Sequence, residues 1–181
     1  MSVSPSLAVR NYLLGPRFKG WLIREYSAYR ILSEADLQNH VVRAALDVLR
    51  RRNATAFLVH ANRYMKDCEN HPDVSVSKNG RPRLWIELKD TLWFDNKFAE
   101  QDWKRLQAAG RKYRATFKAG ILIYVARRGK VEKFQIVRTR KTMKLWTVVI
   151  SLKDELKKNG VADFEKWNKK YRQLARCAAK P

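Results

Sequence analysis

Cysteine, histidine and acidic residues are all scarce in this 181-residue chain. Cys68 and Cys177 are the only cysteines, no Cys-x-x-Cys pair exists and the three His are scattered, which excludes a zinc ribbon or a disulfide framework. A reducing, intracellular setting is expected, cytoplasmic or nucleoid-associated. No run of about 18 uncharged apolar residues occurs, so no transmembrane helix is expected. Met1 to Arg10 lacks the apolar stretch of a secretory leader. Hydrophobic residues make up 45% of the chain, six Trp among them, enough to build a core and to exclude disorder over most of its length.

The acid deficit is the dominant feature. Lys and Arg number 39 against 17 Asp and Glu, a formal net charge of +22. The imbalance is uneven: 16 basic and 12 acidic residues precede Lys104, and 23 and 5 follow from there. Such an excess attracts a polyanion, because each phosphate neutralised releases condensed counterions. Nucleic acid is the expected partner. An anionic membrane is the rival, since Trp167, Tyr171 and Leu174 recur at helical spacing among Lys and Arg.

Along the chain, the first 30 residues mix aromatic and basic side chains with Gly15-Pro16 and Gly20, and read as an irregular arm. A helix is predicted from Ser33 to about Arg52, with Leu37, Val41, Ala45 and Val48 on one face. Strands are predicted over 55–60, 74–76 and 84–88, a second helix over about 99–114, and a doubly buried strand over 120–126. Further strands over 134–137 and 146–150 and closing helices follow. The expected organisation is a basic aromatic arm (1–30), an α/β core (31–126) and a basic C-terminal extension packed on it (127–181).

The chemistry-bearing residues lie in 72–89. Strand alternation sends Leu84, Ile86 and Leu88 to one face and Trp85, Glu87 and Lys89 to the other. Asp73 shares the face of Glu87 only if the intervening hairpin has an odd loop or a bulge. A three-residue loop over 79–81 would set the two acids opposite each other, making a divalent-cation site with a lysine beside it. On the first helix, Leu37, Val41, Ala45 and Val48 fall within about 60° of Glu34, which therefore sits on the packing face, while Asp36, about 200° away, points to solvent. A carboxylate on a packing face needs a partner or a metal.

Pro72-Asp73 and Glu87-Leu88-Lys89, preceded by a helical Glu34 and followed by an amphipathic helix and an apolar strand, resemble the PD-(D/E)xK nuclease superfamily. The likeness is nearest to its VRR-NUC and Holliday-junction-resolvase-like branch. It spans roughly residues 33–126, includes Gln101, Leu106 and Gly110 in the second helix, and departs over 90–98, where Trp93, Phe94 and Asp95 replace a glycine-bearing turn.

The resemblance implies a restriction-endonuclease-like core: helix, three-stranded antiparallel meander, helix, strand. It also implies Mg²⁺-dependent hydrolysis of phosphodiester bonds, with Mn²⁺ able to substitute. Asp73, Glu87, Glu34 and the Leu88 carbonyl would hold the metal, Lys89 would orient the attacking water, and Gln101 or Gln107 would assist. Lys104, Arg105, Arg111, Lys112, Arg114, Arg127 and Arg128 are candidates for gripping DNA.

A structure-specific enzyme of recombination or repair is the first expectation. A restriction- or homing-type endonuclease, or a non-catalytic nucleic-acid-binding protein, is the alternative, and a protein that packs viral nucleic acid comes third. An HNH-type nuclease, hinted at by Asn39-His40 and Asn70-His71, is disfavoured because His40 lies about 240° from Glu34 on the helix. Monomer and homodimer are both left open.

Overall fold

Pro5 and Pro16 do not interrupt the chain. Each stands at the start of a helix, where a missing N–H is no loss and the fixed φ suits entry. Helix α1 runs Pro5–Leu13 and α2 runs Pro16–Ser27. Their apolar faces, including Val9, Leu13, Phe18, Leu22 and Tyr26, are buried in the main core. The irregular arm expected over 1–30 is thus corrected, within the described residues, to two packed helices. Gly20 is carried inside α2 at the modest cost of helical glycine.

The computed structural model describes residues 3–62, 72–93, 96–113, 115–117, 119–128 and 144–179. Helix α3 (Glu34–Arg50) is capped by Ser33, whose Oγ accepts from the Asp36 N–H. The Asp36 carboxylate accepts in return from the Ser33 hydroxyl and the Leu32 N–H. These bonds satisfy otherwise orphaned donors at the helix start.

The strands β1 (Phe57–Ala61), β2 (Val74–Lys78), β3 (Arg81–Trp93), β4 (Ala119–Arg128) and β5 (Lys144–Ser151) form one sheet in sequence order. The first three pair antiparallel, and β3, β4 and β5 pair parallel. Helix α4 (Asn96–Lys112) lies between β3 and β4 in sequence, and α5 (Leu152–Lys158) and α6 (Phe164–Ala178) follow β5. The protein is a mixed α/β chain.

Two cores flank the sheet. Val74, Val76, Leu84, Ile86, Leu88, Ile121, Ile123 and Val125 face α1, α2, α3, α5 and α6. Trp85, Leu122, Tyr124 and Ala126 face α4 through Ala99, Trp103, Leu106 and Ala109. The alternation expected in β3 is therefore present, and β4 is buried on both faces.

The described part of residues 127–181 is not an addition to a finished core. Their boundary falls inside β4, β5 is the fifth strand of the sheet, and Leu156, Phe164, Trp167 and Tyr171 join the main core. The expected strand over 134–137 lies outside the described residues. Among those described, no helix is long and apolar enough to cross a membrane. The stripe of α6 that a membrane would need is already covered at Trp167 and Tyr171.

Candidate active site

The β2–β3 hairpin decides which way Asp73 faces. Its turn is Asn79-Gly80, both with positive φ, the two-residue form that suits strand twist. Ser77 pairs with Pro82, but Val76 pairs with Leu84, so one extra residue bulges out of β3 at Arg83. The bulge changes the parity, Val74 comes opposite Ile86, and Asp73 on continuation comes opposite Glu87. The expected alignment is thus reached by a tight turn with a bulge, not by the three-residue loop.

Among the described residues, strand β3 outruns β2, and none of them pairs with it as a strand on that side from Leu88 onward. In an extended strand the N–H groups of residues i and i+2 point to the same side, so those of Leu88 and Asp90 face that edge. Both are satisfied by carboxylates: Leu88 N donates to Asp73 Oδ2 at 2.6 Å, and Asp90 N to Glu34 Oε2 at 3.2 Å. The start of α3 is thereby fixed beside the hairpin. Gln38, one turn on, donates to the Asp73 carbonyl and to Asn62 Oδ1.

Lys89 stands between the acids of two helices. Its Nζ is 3.7 Å from Glu34 Oε1 and 3.8 Å from Asp102 Oδ2. Asp102, on α4 and only 2% exposed, is held on its other oxygen by Arg105 at 3.1 Å. Among the described residues, the four acids Glu34, Asp73, Glu87 and Asp102 thus share the cations Lys89 and Arg105.

Burial pushes the Glu87 carboxyl up to about 9, and the neighbouring Asp73 and Asp102 add to the rise. It is 3% exposed. Burial also raises Asp73, against the Leu88 N–H and Lys89, and raises Asp102, against Lys89 and Arg105. For Lys89, burial pulls down while Asp102, Glu34, Asp73 and Glu87 push up; the acids prevail and the ammonium is stabilised.

Among the described residues no group of three or more His, Cys, Asp or Glu side chains is arranged to cage an ion unaided. The site offers a smaller set: Asp73, Glu87 and, on the same edge, the Leu88 carbonyl. Two carboxylates with water and substrate oxygens are the usual protein share of a Mg²⁺ shell, and a carboxylate as buried as that of Glu87 fits a cation partner.

The remaining sequence candidates divide. Gln101 is exposed, Gln107 is half-buried, and neither bonds to the acids. The position that α4 gives to the site belongs to Asp102. Lys104, Arg111 and Lys112 are exposed on α4, Arg105 is the partner of Asp102, and Arg114 lies outside the described residues.

Arg127 is engaged internally: its Nε is 3.2 Å from buried Asp90, and its guanidinium lies 5.1 Å from the Tyr171 ring centroid. Asp90 also accepts from Tyr26 and Tyr171 hydroxyls. A free phosphate-gripping role for Arg127 is corrected accordingly, and Arg128 pairs with Glu165. His40 is structural, against the Asp36 carbonyl, Glu25 and the Trp21 ring. His71 lies outside the described residues.

Asp90 and Asp102 were missed, although signals existed. Alternation puts Asp90 on the apolar face of Leu84, Ile86 and Leu88. Asp102 falls within about 100° of Trp103, Leu106 and Tyr113 on the helical stripe. No protein-family model, curated protein or solved structure matches the chain.

Proposed function

We propose that this protein is a Mg²⁺-dependent DNA endonuclease with a PD-(D/E)xK-type site, acting on branched or junction DNA. The observation that carries the reading is a charge inversion. In a chain of +22, the acids Glu34, Asp73, Glu87 and Asp102 converge beside one sheet edge with, among the described residues, Lys89 and Arg105 to balance them, and a divalent cation would take the place of the Glu87 proton.

Asp73 and Glu87, with the Leu88 carbonyl, would hold the ion. When bound, Mg²⁺ acidifies a water and withdraws charge from the scissile phosphate. Lys89 supplies the mobile donor: its ammonium is kept protonated by four acids and kept in place by Glu34 and Asp102, so it can direct hydrogen bonds at an incoming water or a non-bridging phosphate oxygen. Glu34 couples α3 to this arrangement through Lys89 Nζ and the Asp90 N–H.

Phosphate contacts position a duplex without specifying sequence, so a broad basic surface favours recognition of shape over base order. The test is a panel of labelled junction, flap, nicked, single-stranded and linear duplex DNAs incubated with Mg²⁺. Cleavage of branched forms in preference to linear duplex is expected. Cutting at one fixed sequence of linear duplex would instead favour a restriction- or homing-type enzyme, and binding without cleavage on any substrate would favour a non-catalytic role.

A further inference from the structure

Helix α6 carries a second basic feature, separate from the acidic cluster. Glu165, Lys169, Arg172 and Arg176 follow each other at intervals of four, three and four residues, which places them in one stripe along the helix. Together with Arg128 from the end of β4 they line a groove of about 690 Å³. Among the described residues the groove is lined by four cations and one acid, and that acid is paired with Arg128. Lys169, Arg172 and Arg176 are exposed and make no ion pair among the described residues.

The groove is also floored by unmet hydrogen-bonding capacity. Asn168 is 2% exposed and its Oδ1 has no hydrogen-bond partner among the described residues; Arg128 Nε is buried and likewise unpartnered among them. The opposite side of α6, through Phe164, Trp167 and Tyr171, is locked into the core, so the stripe is held rigidly. Its cations are about one helical turn apart, so they can meet more than one phosphate of the same backbone segment.

We infer that the groove lined by Arg128, Lys169, Arg172 and Arg176 seats the phosphodiester backbone of bound DNA. The inference rests on DNA as the partner but not on its cleavage. Binding is therefore measured in EDTA, where hydrolysis is stopped, by fluorescence anisotropy with a short labelled DNA duplex over a series of KCl concentrations.

The variant carrying Lys169→Ala, Arg172→Ala and Arg176→Ala should lower the magnitude of the slope of log K against log salt by about 2–3, at roughly 0.9 per phosphate contact. Duplexes of unrelated sequence should show the same loss. A second triple variant, Arg17→Ala, Arg43→Ala and Arg51→Ala, removes the same charge from exposed positions on α2, on α3 and in the turn after α3, and should leave the slope unchanged. Glu165→Gln, which removes the acid of the groove, should tighten binding.

Equal losses in the two triple variants, or none in the α6 variant, would overturn the inference. So would a stripe whose removal abolishes binding to phosphatidylserine vesicles while leaving DNA affinity intact. A protein that passes this test and cuts no DNA would keep the groove and lose the nuclease reading.

Discussion

Glu87 sits where an ionised carboxylate is costly, and this makes its proton a reporter of the site. Its carboxyl is raised to about 9, so between the ordinary glutamate range near 4.5 and that value the folded chain retains a proton the unfolded chain has lost. Stability without metal should therefore fall as pH rises through this window. Glu87→Gln should flatten the dependence and raise the thermal midpoint at pH 8, each kcal/mol being worth about 2–4 °C in a chain of this size. Melting curves from pH 5 to 9 check this, and Mg²⁺ should abolish the slope by replacing the proton.

Asp102 is a positioning residue by the same geometry, since it holds Lys89 without lying among the proposed metal ligands. Asp102→Asn should slow cleavage by about 10–100-fold, as loss of an outer-shell partner does. It should also move the alkaline limb of the pH–rate profile to lower pH, because Lys89 loses the largest of the acidic influences that hold its proton. Asp102→Glu should restore part of the rate, and a variant that slows cleavage with an unmoved profile would make Asp102 merely structural. Asp73, Glu87 and Lys89 were legible in the sequence because strand alternation alone puts the latter two on one face. Asp102 escaped notice because the polar neighbours Glu100 and Gln101 disguised a buried position.

At the level of elements, the N-terminal helices show where sequence reading failed and why. Gly15-Pro16 has the composition of a break, yet a proline in the first turn begins a helix as readily as it ends one, and only the packing partner decides between them. Phe18 and Leu22 are fully buried in the main core, so Phe18→Ala or Leu22→Ala should each cost about 2–5 kcal/mol in urea unfolding. A loss under about 0.5 kcal/mol, the usual range for exposed positions, would return this segment to an arm.

Gly120 tests the opposite side of the sheet. A Cβ there would stand 2.6 Å from Leu145 Cδ2 and 3.2 Å from Leu106 Cδ2, so Gly120→Ala should destabilise by about 1–3 kcal/mol, read from the same unfolding curves. The hairpin was half legible: parity demanded an odd loop or a bulge, and only the pairing of Val76 with Leu84 shows which. Asn79-Gly80 favours the tight turn, leaving the bulge as the remaining solution.

The whole molecule sets a negative sheet edge within a strongly positive body. The basic charge was plain from composition, but its placement was not, because Arg127 turns inward to Asp90 while the stripe on α6 turns outward. The fold serves this contrast by letting β3 outrun β2, so that backbone donors at Leu88 and Asp90 draw Asp73 and Glu34 to the edge beside Glu87 and Lys89. The central claim is that this edge hydrolyses phosphodiester bonds with a divalent cation. It is tested most directly by single-turnover cleavage of a labelled four-way DNA junction, with Mg²⁺ titrated against wild type, Asp73→Asn, Glu87→Gln and Lys89→Ala. The account predicts saturable Mg²⁺-dependent cleavage by the wild type and at least about a 100-fold loss in each variant, on the scale of removing a group that stabilises transition-state charge, with folding and DNA binding retained. Wild-type rates in the variants, or cleavage undiminished by EDTA, would contradict it.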